Sequence, residues 1–559
     1  MKASTKPSPS KLRVRRSIVE MQHEYEQGNK KPLEDLMRAW KGIKELAYDD
    51  PKSFFTLGGY HGEPFRGAGY GNGTFWGGYC NHGNVLFPTW HRIYCLKIEE
   101  ALQSIPGCAS VMLPYWDETA KYPNESAGEP QYQGVPWAFT RPTFELDGET
   151  IPNPLKSFTL PLTIADNISD NGSLATGGGV YGKKKGYETV RYPLSGLVGT
   201  AEAQAESEKH NALFTEKEAT ALLNQNVLAW LDNTVVVDGK SLSYPIGVGD
   251  QFAQCLNAPN FTVFSNTTSA QQWNALLEES QTPVVPLEEP HNHLHLAIGG
   301  FDLPVTFKQP DFSPIDGANG DMGENDTAAL DPIFYFHHCN IDRVFWLWQK
   351  KHADKGYLDK LDLIDAYPGT NSTDSQGATP GVPSNSWLTL ESPLSPFTKG
   401  ERGHERPYTS LDCVNIEKQL GYTYSKGSLE EGSPLLKAAA TARTSTKVLH
   451  VSRINKAPIK GSFIVAAYRH GAGGEKQLIG LKAVLNRWDS GFCANCQTHL
   501  EVKASFPIPI PTASKSALRG APAQADTADN YSVELVGRAH NKVEMARLTV
   551  AKPYRIELR

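Results

Sequence analysis

The sequence predicts a large, mainly α-helical domain with long loops, followed by a smaller β-sandwich domain. Apolar residues recur at three- and four-residue steps, as on amphipathic helices, over residues 33–47, 211–231 and 269–278. Stretches rich in Gly, Pro and Asn separate such segments, and the longest of them, residues 120–210, is predicted to be an extended surface loop region. Helices joined by long loops therefore account for the greater part of the chain.

The last part of the chain has a different pattern. Beyond residue 446, short runs rich in Val, Ile and Tyr show alternation and are separated by Gly and Asn turns, as antiparallel strands are. Just before them, residues 425–446 are mostly small and polar, as a linker would be. We therefore expect a first domain over residues 1–424 and a β-sandwich over residues 447–559.

Composition and charge exclude several classes of function. The 559-residue chain has a net charge of -6, which argues against an electrostatic binder of nucleic acid. No apolar run has the length of a membrane span, and the basic N-terminus lacks the apolar core of a signal peptide. The eight cysteines are too few for a disulfide scaffold. We therefore expect a cytoplasmic protein that binds neither nucleic acid nor membranes.

Two adjacent histidines, His337 and His338, lie within an apolar and aromatic run that begins at Asp331 and ends at Gln349. Burying two imidazole rings among Phe, Tyr and Trp side chains leaves ring nitrogens that need partners. Polar neighbours would satisfy them if they were ordinary core histidines, and a metal ion is the alternative. Histidines elsewhere in the chain decide between these interpretations, because a metal needs further ligands.

A second cluster, EEPHNHLHLAIGG, contains His291 and His295 four residues apart. On a helix, this spacing places both rings on one face, where they can bind a single ion. Pro290 favours a helix start just before them, and the glycine pair after them favours its end. If this helix packs against the one that carries His338, three nitrogen ligands come together. His293 would point elsewhere.

A third cluster supplies three more candidates. Pro88 favours the start of a helix whose inner face begins at His91, and His82 lies in the loop before it. Farther upstream, His61 lies among glycines, which let the backbone approach closely. Cys80 lies two residues before His82, so an extended backbone would place the sulfur and the imidazole on the same side. We therefore expect a second set of three ring nitrogens.

Six imidazoles in two sets of three, with no carboxylate or thiolate required, are the chemical pattern of a copper pair. Imidazole also binds zinc, iron and nickel, but nitrogen-only sites rank copper above zinc, and open positions suit O₂ chemistry. A hydrolytic zinc pair is the alternative, although such sites usually include carboxylate ligands. We therefore expect two copper ions as cofactors, with O₂ as a co-substrate.

With these residues, the sequence resembles the tyrosinase and polyphenol oxidase family of type-3 copper proteins. Residues 82–92 are similar to the family's first copper signature, and residues 331–342 are similar to the second. Cys95 departs from the first signature, which usually has Leu, Val, Met or Thr at that position. The resemblance covers roughly residues 11–424.

The resemblance implies a central four-helix bundle that holds the two coppers. The implied ligands of the first copper are His61, His82 and His91. The implied ligands of the second copper are His291, His295 and His338. His293 and His337 would not be ligands. A cysteine near the second ligand forms a thioether to it in fungal, plant and molluscan relatives, and Cys80 with His82 matches this arrangement.

The same resemblance implies further residues of the active site. Glu288 and Asn292 match the pair that orients a water in tyrosinases, and this water takes the phenol proton. Two positions would act as a substrate gate. Asn325 stands where plant relatives hold a blocking Phe over the metals, and Leu296 follows the second ligand of the second copper.

The resemblance also implies a C-terminal domain that shields the active site. Residues 422–424 (Tyr-Thr-Tyr) resemble the tyrosine motif that ends the catalytic domain of fungal-type members. Cys493 and Cys496 resemble a Cys-x-x-Cys associated with copper delivery, because paired thiolates hold Cu(I). A local disulfide or an inert pair is the alternative for these two cysteines. The candidate plugs over the coppers are Trp488, Phe492 and Phe506.

The implied function is that of an oxidoreductase. The leading prediction is a tyrosinase, which uses O₂ to hydroxylate monophenols at the ortho position and to oxidise o-diphenols to o-quinones. Small phenols such as tyrosine, dopa and catechols would be its partners. A catechol oxidase or o-aminophenol oxidase without monophenolase activity is the first alternative, and a haemocyanin-like O₂ carrier is the second. The sequence leaves the oligomeric state open, with a homo-oligomer among the options.

Overall fold

The structure is a computed structural model that describes most of the chain. The described residues are 12–62, 78–122, 131–165, 182–196, 201–232, 247–278, 281–299, 320–373, 381–441, 447–459, 461–471, 474, 476–486, 500–508, 527–536 and 554–559. Within these ranges, no helix combines the length and the apolar character that a membrane crossing needs.

Twelve α-helices lie in the described part of the chain. In chain order they are α1 (Ile18–Glu26), α2 (Lys31–Glu45), α3 (Phe54–Gly59), α4 (Phe87–Gln103), α5 (Ala201–Asn211), α6 (Glu216–Leu231), α7 (Val248–Cys255), α8 (Phe261–Ser265), α9 (Thr267–Ala275), α10 (Glu288–Gly299), α11 (Ile333–Lys351) and α12 (Pro434–Thr441). The helices predicted from periodicity correspond to α2, α6 and α9. Helix α6 begins later than predicted because Thr215 and Glu218 form a capping box at its start.

Short strands accompany the helices, and longer ones follow them. Those of the helical part are β1 (Arg13–Arg15), β2 (Lys121–Tyr122), β3 (Gln131–Tyr132), β4 (Thr143–Leu146), β5 (Glu149–Pro152), β6 (Ile164–Ala165), β7 (Gly182–Lys183), β8 (Pro393–Lys399), β9 (Arg406–Thr409) and β10 (Tyr422–Tyr424). Those of the last part are β11 (Val448–Asn455), β12 (Phe463–His470), β13 (Lys476–Val484), β14 (Glu501–Pro507), β15 (Tyr531–Val536) and β16 (Arg555–Leu558).

Helices α4 and α11 pack against each other in the centre of the helical part. Every residue of α11 from Ile333 to Gln349 is buried, so this helix is enclosed on all sides rather than amphipathic. Helix α2 packs on α4, and α10 packs on α6 and α7. The predicted mainly helical domain is confirmed.

The last six strands form two antiparallel sheets, in the orders β14–β11–β16 and β13–β12–β15. Alternate residues of β11 and β14 pack into the core between the sheets, among them Leu449, Val451, Val502 and Ala504. The predicted β-sandwich is therefore confirmed. Strand β13 packs against α10, and β14 packs against α9, so the sandwich contacts two helices of the first part.

The first strand and the tyrosine motif lie side by side. Strand β1 pairs in parallel with β10, and the hydroxyls of Tyr422 and Tyr424 donate hydrogen bonds to Asp342 on α11, at 2.5 and 2.6 Å. Arg92 on α4 lies 2.5 Å from the other oxygen of the same carboxylate. The Asp342 carboxylate thus links α11, α4 and the tyrosine motif at the end of the helical part.

Two stretches differ from what their composition predicts. Within residues 120–210, Lys183, Tyr187 and Arg191 are buried against the helical core rather than lying at the surface. Within residues 425–441, the Ser428 backbone N–H donates to Asp117, and α12 packs against α7. Gly, Ser and Pro suit close backbone packing as well as flexible linkers, and composition does not separate the two. The domain boundary itself stays a prediction.

Candidate active site

The structure brings the first predicted set of histidines together. His61 follows α3, His82 lies in the loop before α4, and His91 lies in the first turn of α4, where Pro88 favours the helix start. The three rings are buried, and their centroids lie 5.1 to 5.7 Å apart. Three imidazoles from three segments therefore share one small volume.

The second predicted set is equally close. His291 and His295 project from one face of α10, His338 projects from α11, and the ring centroids lie 4.5 to 5.3 Å apart. The two sets adjoin, since the His91 ring stacks on the His338 ring with centroids 4.7 Å apart. All six predicted histidines therefore belong to one buried cluster.

Hydrogen bonds fix which nitrogen of the rings carries the proton. In four rings, Nδ1 lies 2.8 to 3.1 Å from a backbone carbonyl oxygen, which can only accept. The donor and acceptor pairs are His61 with Asn325, His91 with Phe87, His295 with Met322, and His338 with Phe334. His291 Nδ1 donates to the side-chain oxygen of Asn292 at 2.9 Å. In these five rings, Nε2 therefore keeps its lone pair.

No residue in the described part of the chain donates a proton to these Nε2 lone pairs. Among the described residues, none hydrogen-bonds to Nε2 of His61, His91 or His295. Nε2 of His291 and Nε2 of His338 lie 2.9 Å apart, so their lone pairs face each other. Burial lowers the pKa of all five rings, that of His295 to about 4, so a second proton does not relieve this repulsion. A bound cation would relieve it, and the nitrogen-only donor set suits copper.

The two histidines predicted to be outside the ligand set have side-chain partners. His337 Nδ1 donates to Glu118 at 2.7 Å, and Asn340 donates to the other oxygen of that buried carboxylate at 2.9 Å. His293 Nδ1 donates to the Gln251 side chain at 2.6 Å. A ring nitrogen of His337 nevertheless lies within 4.8 Å of those of the second set. Its exclusion from the ligands stays a prediction.

Glu288 begins α10 and reaches the loop before α4. Its buried carboxylate accepts hydrogen bonds from the Gly83 N–H at 2.7 Å, the Thr267 N–H at 2.8 Å and the Thr267 hydroxyl at 3.0 Å. Burial raises the pKa of Glu288, while these donors and the Lys482 ammonium oppose the rise. Asn292 follows one turn later on the same helix. Glu288 is therefore a buried carboxylate that accepts three hydrogen bonds, and not a solvated surface acid.

The predicted thioether and gate residues lie beside the cluster. Ligand atoms of His61, Cys80 and His82 all lie within 4.8 Å of one another, so the Cys80 sulfur is close to both rings. Asn325 is fully buried, and its side-chain nitrogen lies 3.8 Å from that sulfur. Leu296 is fully buried on α10. The thioether and the gate stay predictions.

A cavity of about 690 Å³ lies between the helical part and the sandwich. On the helical side it is lined by His82, Glu288 and Asn292, among others. Lysines of the sandwich line the opposite side, and the half-exposed Trp387 is on its rim. Its volume is in the range of small-molecule sites, and it reaches one of the predicted ligands.

Lys482 on β13 interacts electrostatically, across the cavity, with acids of the helical part. It is 6% exposed, and burial lowers its pKa, while the charges of Glu289 and Glu288 at the start of α10 oppose that shift. Phe506, a candidate plug, packs instead in the sandwich core beside Gly480 and is absent from the cavity lining. The other predicted plugs and the copper-delivery pair lie outside the described residues: Trp488, Phe492, Cys493 and Cys496.

Comparison with known proteins identifies the family. A family model described as the common central domain of tyrosinase matches residues 51–351. The tyrosinase HcTyr2 of Hahella sp. (strain CCB-MM4) is 53% identical over 524 residues, which cover 89% of each chain. The chain belongs to the tyrosinase family. The resemblance seen in the two copper signatures is confirmed.

Other members of the tyrosinase family are also similar to the chain. A tyrosinase of Aspergillus oryzae is 42% identical over 503 residues, covering 86% of this chain and 87% of that one. The structure of a tyrosinase from Burkholderia thailandensis at low pH has a TM-score of 0.79 and 46% identity, covering 98% of this chain and 100% of that one. Membership of this family makes the chain a copper-dependent oxidoreductase, and its histidine groups are compatible with a binuclear site.

Two polar residues near the tyrosinase-family site were not predicted from the sequence. Glu118 lies in an irregular segment, and nothing in its spacing points to His337, more than two hundred positions away. Lys482 does carry a signal, since it is the single charged residue in the otherwise apolar run LIGLKAVL. A lone lysine at a buried strand position needs a partner, and the sequence does not say which acid supplies it.

Proposed function

We propose that this tyrosinase-family enzyme hydroxylates monophenols at the ortho position and oxidises o-diphenols to o-quinones, with O₂ as co-substrate. The observation that carries the proposal is the buried Glu288 carboxylate on the wall of the cavity, one turn from Asn292. A carboxylate held there can orient a water molecule and accept the proton of a phenol through it. Small phenols such as tyrosine and dopa are the proposed substrates.

We assign the six histidines to two copper ions. His61, His82 and His91 would hold one, and His291, His295 and His338 would hold the other. When bound, a copper pair supplies the electrons for the reduction of O₂. The chain's own contribution is to keep Nε2 as the donor atom in the five rings whose Nδ1 is bonded to an oxygen.

The surroundings of the cluster support this assignment by excluding water. The Phe334 ring stacks on the His338 ring with centroids 3.8 Å apart, and Phe87 lies 4.7 Å from His91 and 4.9 Å from His291. Apolar contacts of this kind keep the neutral form of each imidazole, because burial disfavours the charged form. Neutral rings are the form that binds a metal.

We propose that Glu288 and Asn292 divide the handling of the phenol proton. The Asn292 side-chain oxygen is bonded to His291, so its N–H groups are the ones that can hold a water in the cavity. The Glu288 carboxylate accepts the proton from that water. The Gly83 N–H and the two donors of Thr267 hydrogen-bond to the carboxylate form of Glu288, which is the form that acts as a base.

One experiment separates this function from its alternatives. The purified protein is loaded with copper, its copper content per chain is measured, and tyrosine and dopa are assayed separately before and after limited proteolysis near residues 425–446. We expect two coppers per chain and oxidation of both substrates. Turnover of dopa alone in every preparation would indicate a catechol oxidase, and O₂ binding without turnover would indicate a carrier. The cytoplasmic location and a homo-oligomer stay predictions.

A further inference from the structure

Residues 321–325, here called the carbonyl segment, contact one histidine of each set. The Met322 carbonyl accepts the hydrogen bond of His295 Nδ1 at 2.8 Å, and the Asn325 carbonyl accepts that of His61 Nδ1 at 3.1 Å. The two acceptors are three residues apart in the chain. A single short segment therefore orients a ring from the first set and a ring from the second.

Glycines let the carbonyl segment approach the backbone on both sides. A Cβ at Gly62, directly after His61, would collide with the Asn325 carbonyl oxygen. A Cβ at Gly299, at the end of α10, would collide with the backbone nitrogen of Gly323. The segment is thus in backbone contact with the His61 loop and with the helix that carries His295, and a shift of the segment displaces both acceptors together.

Asp321 anchors the carbonyl segment to the stretch around β7. Its fully buried carboxylate accepts hydrogen bonds from Lys183 Nζ at 2.7 Å, from the Tyr187 hydroxyl at 2.7 Å and from the Val190 N–H at 2.8 Å. The Asp321 N–H donates to the Val190 carbonyl at 2.9 Å. The Lys183 ammonium also lies 3.7 Å from Glu324 within the segment. Charge-assisted bonds of this kind are the strong ones, so this end of the segment is firmly held.

We propose that Asp321, through Lys183 and Tyr187, is a positioning residue for both copper ions at once. The inference rests on the proposed ligand assignment. An imidazole whose Nδ1 partner is displaced loses its orientation and part of its basicity as a metal ligand, which typically lowers metal affinity about 10–100-fold. Because the carbonyl segment serves His295 and His61, weakening its anchor lowers the affinity for both ions.

The test compares Asp321→Asn and the milder Tyr187→Phe with the parent protein. Copper bound per chain is titrated in the presence of a colorimetric copper(I) chelator that buffers the free ion, and thermal unfolding of the copper-free proteins is measured in parallel. We expect Asp321→Asn to lower the affinity for both ions about 10–100-fold and Tyr187→Phe to lower both by less. If Asp321→Asn fails to fold, Tyr187→Phe still tests the proposal, because it removes one hydrogen bond to Asp321 and keeps the carboxylate.

Glu99→Gln is the matched control. Glu99 is a fully buried carboxylate on α4 that pairs with Arg15 at 2.8 Å and accepts the Leu113 N–H at 2.9 Å. It contacts none of the carbonyls that orient the histidines. We therefore expect this variant to lose thermal stability while it binds both coppers with parental affinity.

Three outcomes would overturn the inference. Parental copper affinity in Asp321→Asn or in Tyr187→Phe would contradict it. Weakening of one ion alone would show that the carbonyl segment does not serve both sets. An equal loss of affinity in Glu99→Gln would show that general destabilisation is the cause. If the parent itself fails to bind two coppers, the proposed function fails instead, and the two failures are thereby distinguished.

Discussion

Replacing Glu288 by Gln separates the proposed base from its surroundings with almost no change of shape. The carboxylate uses one oxygen for the Gly83 N–H and the other for the two donors of Thr267. A glutamine offers one acceptor oxygen and one NH₂ group. Whichever way it turns, the NH₂ group faces a backbone N–H, because both sides of the carboxylate are occupied by donors.

The size of the effect follows from these contacts. Hydrogen bonds to a charged acceptor contribute about 1.5–3 kcal/mol each, and Glu288→Gln removes the charge and at least one bond. We expect the free energy of unfolding of the copper-free protein to fall by about 3 kcal/mol. Loss of a general base costs about 10²–10⁴-fold in rate, so monophenol hydroxylation should fall by that factor. Diphenol oxidation should fall by less, because the hydroxyl of a catechol is more acidic than that of a monophenol and depends less on a base.

The assay measures tyrosine and dopa turnover per bound copper, so that lost metal is not mistaken for lost catalysis. Glu289→Gln is the matched control, since Glu289 is the adjacent acid and interacts with the same Lys482. None of the described residues donates a hydrogen bond to the Glu289 carboxylate, so the tyrosine-to-dopa ratio should stay near the parental value. If the two variants lose monophenolase activity equally, or if Glu288→Gln keeps it, the assigned role of Glu288 is refuted.

Three further changes test other parts of the site. Lys482→Met removes an ammonium that lowers the pKa of Glu288, so that pKa rises and the acidic limb of the monophenol kcat/KM profile moves to higher pH. The exposed Lys503→Met should leave the limb in place, and an unmoved limb in both variants contradicts the expectation. If the thioether between Cys80 and His82 forms, the peptide that contains both residues should be lighter by two hydrogen atoms after copper treatment. Cys80→Ser should abolish this mass difference. Removal of copper by a chelator should lower the melting temperature, since an ion at 100 times its Kd stabilises the folded state by about 2.7 kcal/mol per site; an unchanged melting temperature would count against a metal bound to the folded state.

The helices of the site could be predicted because their signals are local. Pro88 marks the first turn of α4, and the four-residue spacing of His291 and His295 places both rings on one face of α10. Helix α10 starts at Glu288, two residues before Pro290, so its start differs from the one that Pro290 predicts. Glu288 therefore lies on the same helix as the proposed ligands His291 and His295.

Contacts between distant segments could not be predicted in the same way. Lys183 lies in a stretch with no periodicity, and its partner Asp321 is 138 positions away. Charged residues in a Gly- and Pro-rich loop are usually solvated, so nothing in the local sequence distinguishes Lys183 from Lys184, which is half-exposed. Only the tertiary structure shows that one lysine is buried against the carbonyl segment and the other is not.

The same division between local and distant contacts explains how the histidines are oriented. His91 and His338 donate from Nδ1 to the carbonyls of Phe87 and Phe334, each four residues earlier on the same helix. Because each acceptor lies on the same helix as its histidine, these two rings are oriented as soon as α4 and α11 form. His61 and His295 have no acceptor of this kind within their own segments and depend on the carbonyl segment. We therefore expect mutations that loosen tertiary packing to disorder His61 and His295 first, so that each of the two proposed copper sites loses one ligand while His91 and His338 keep their orientation.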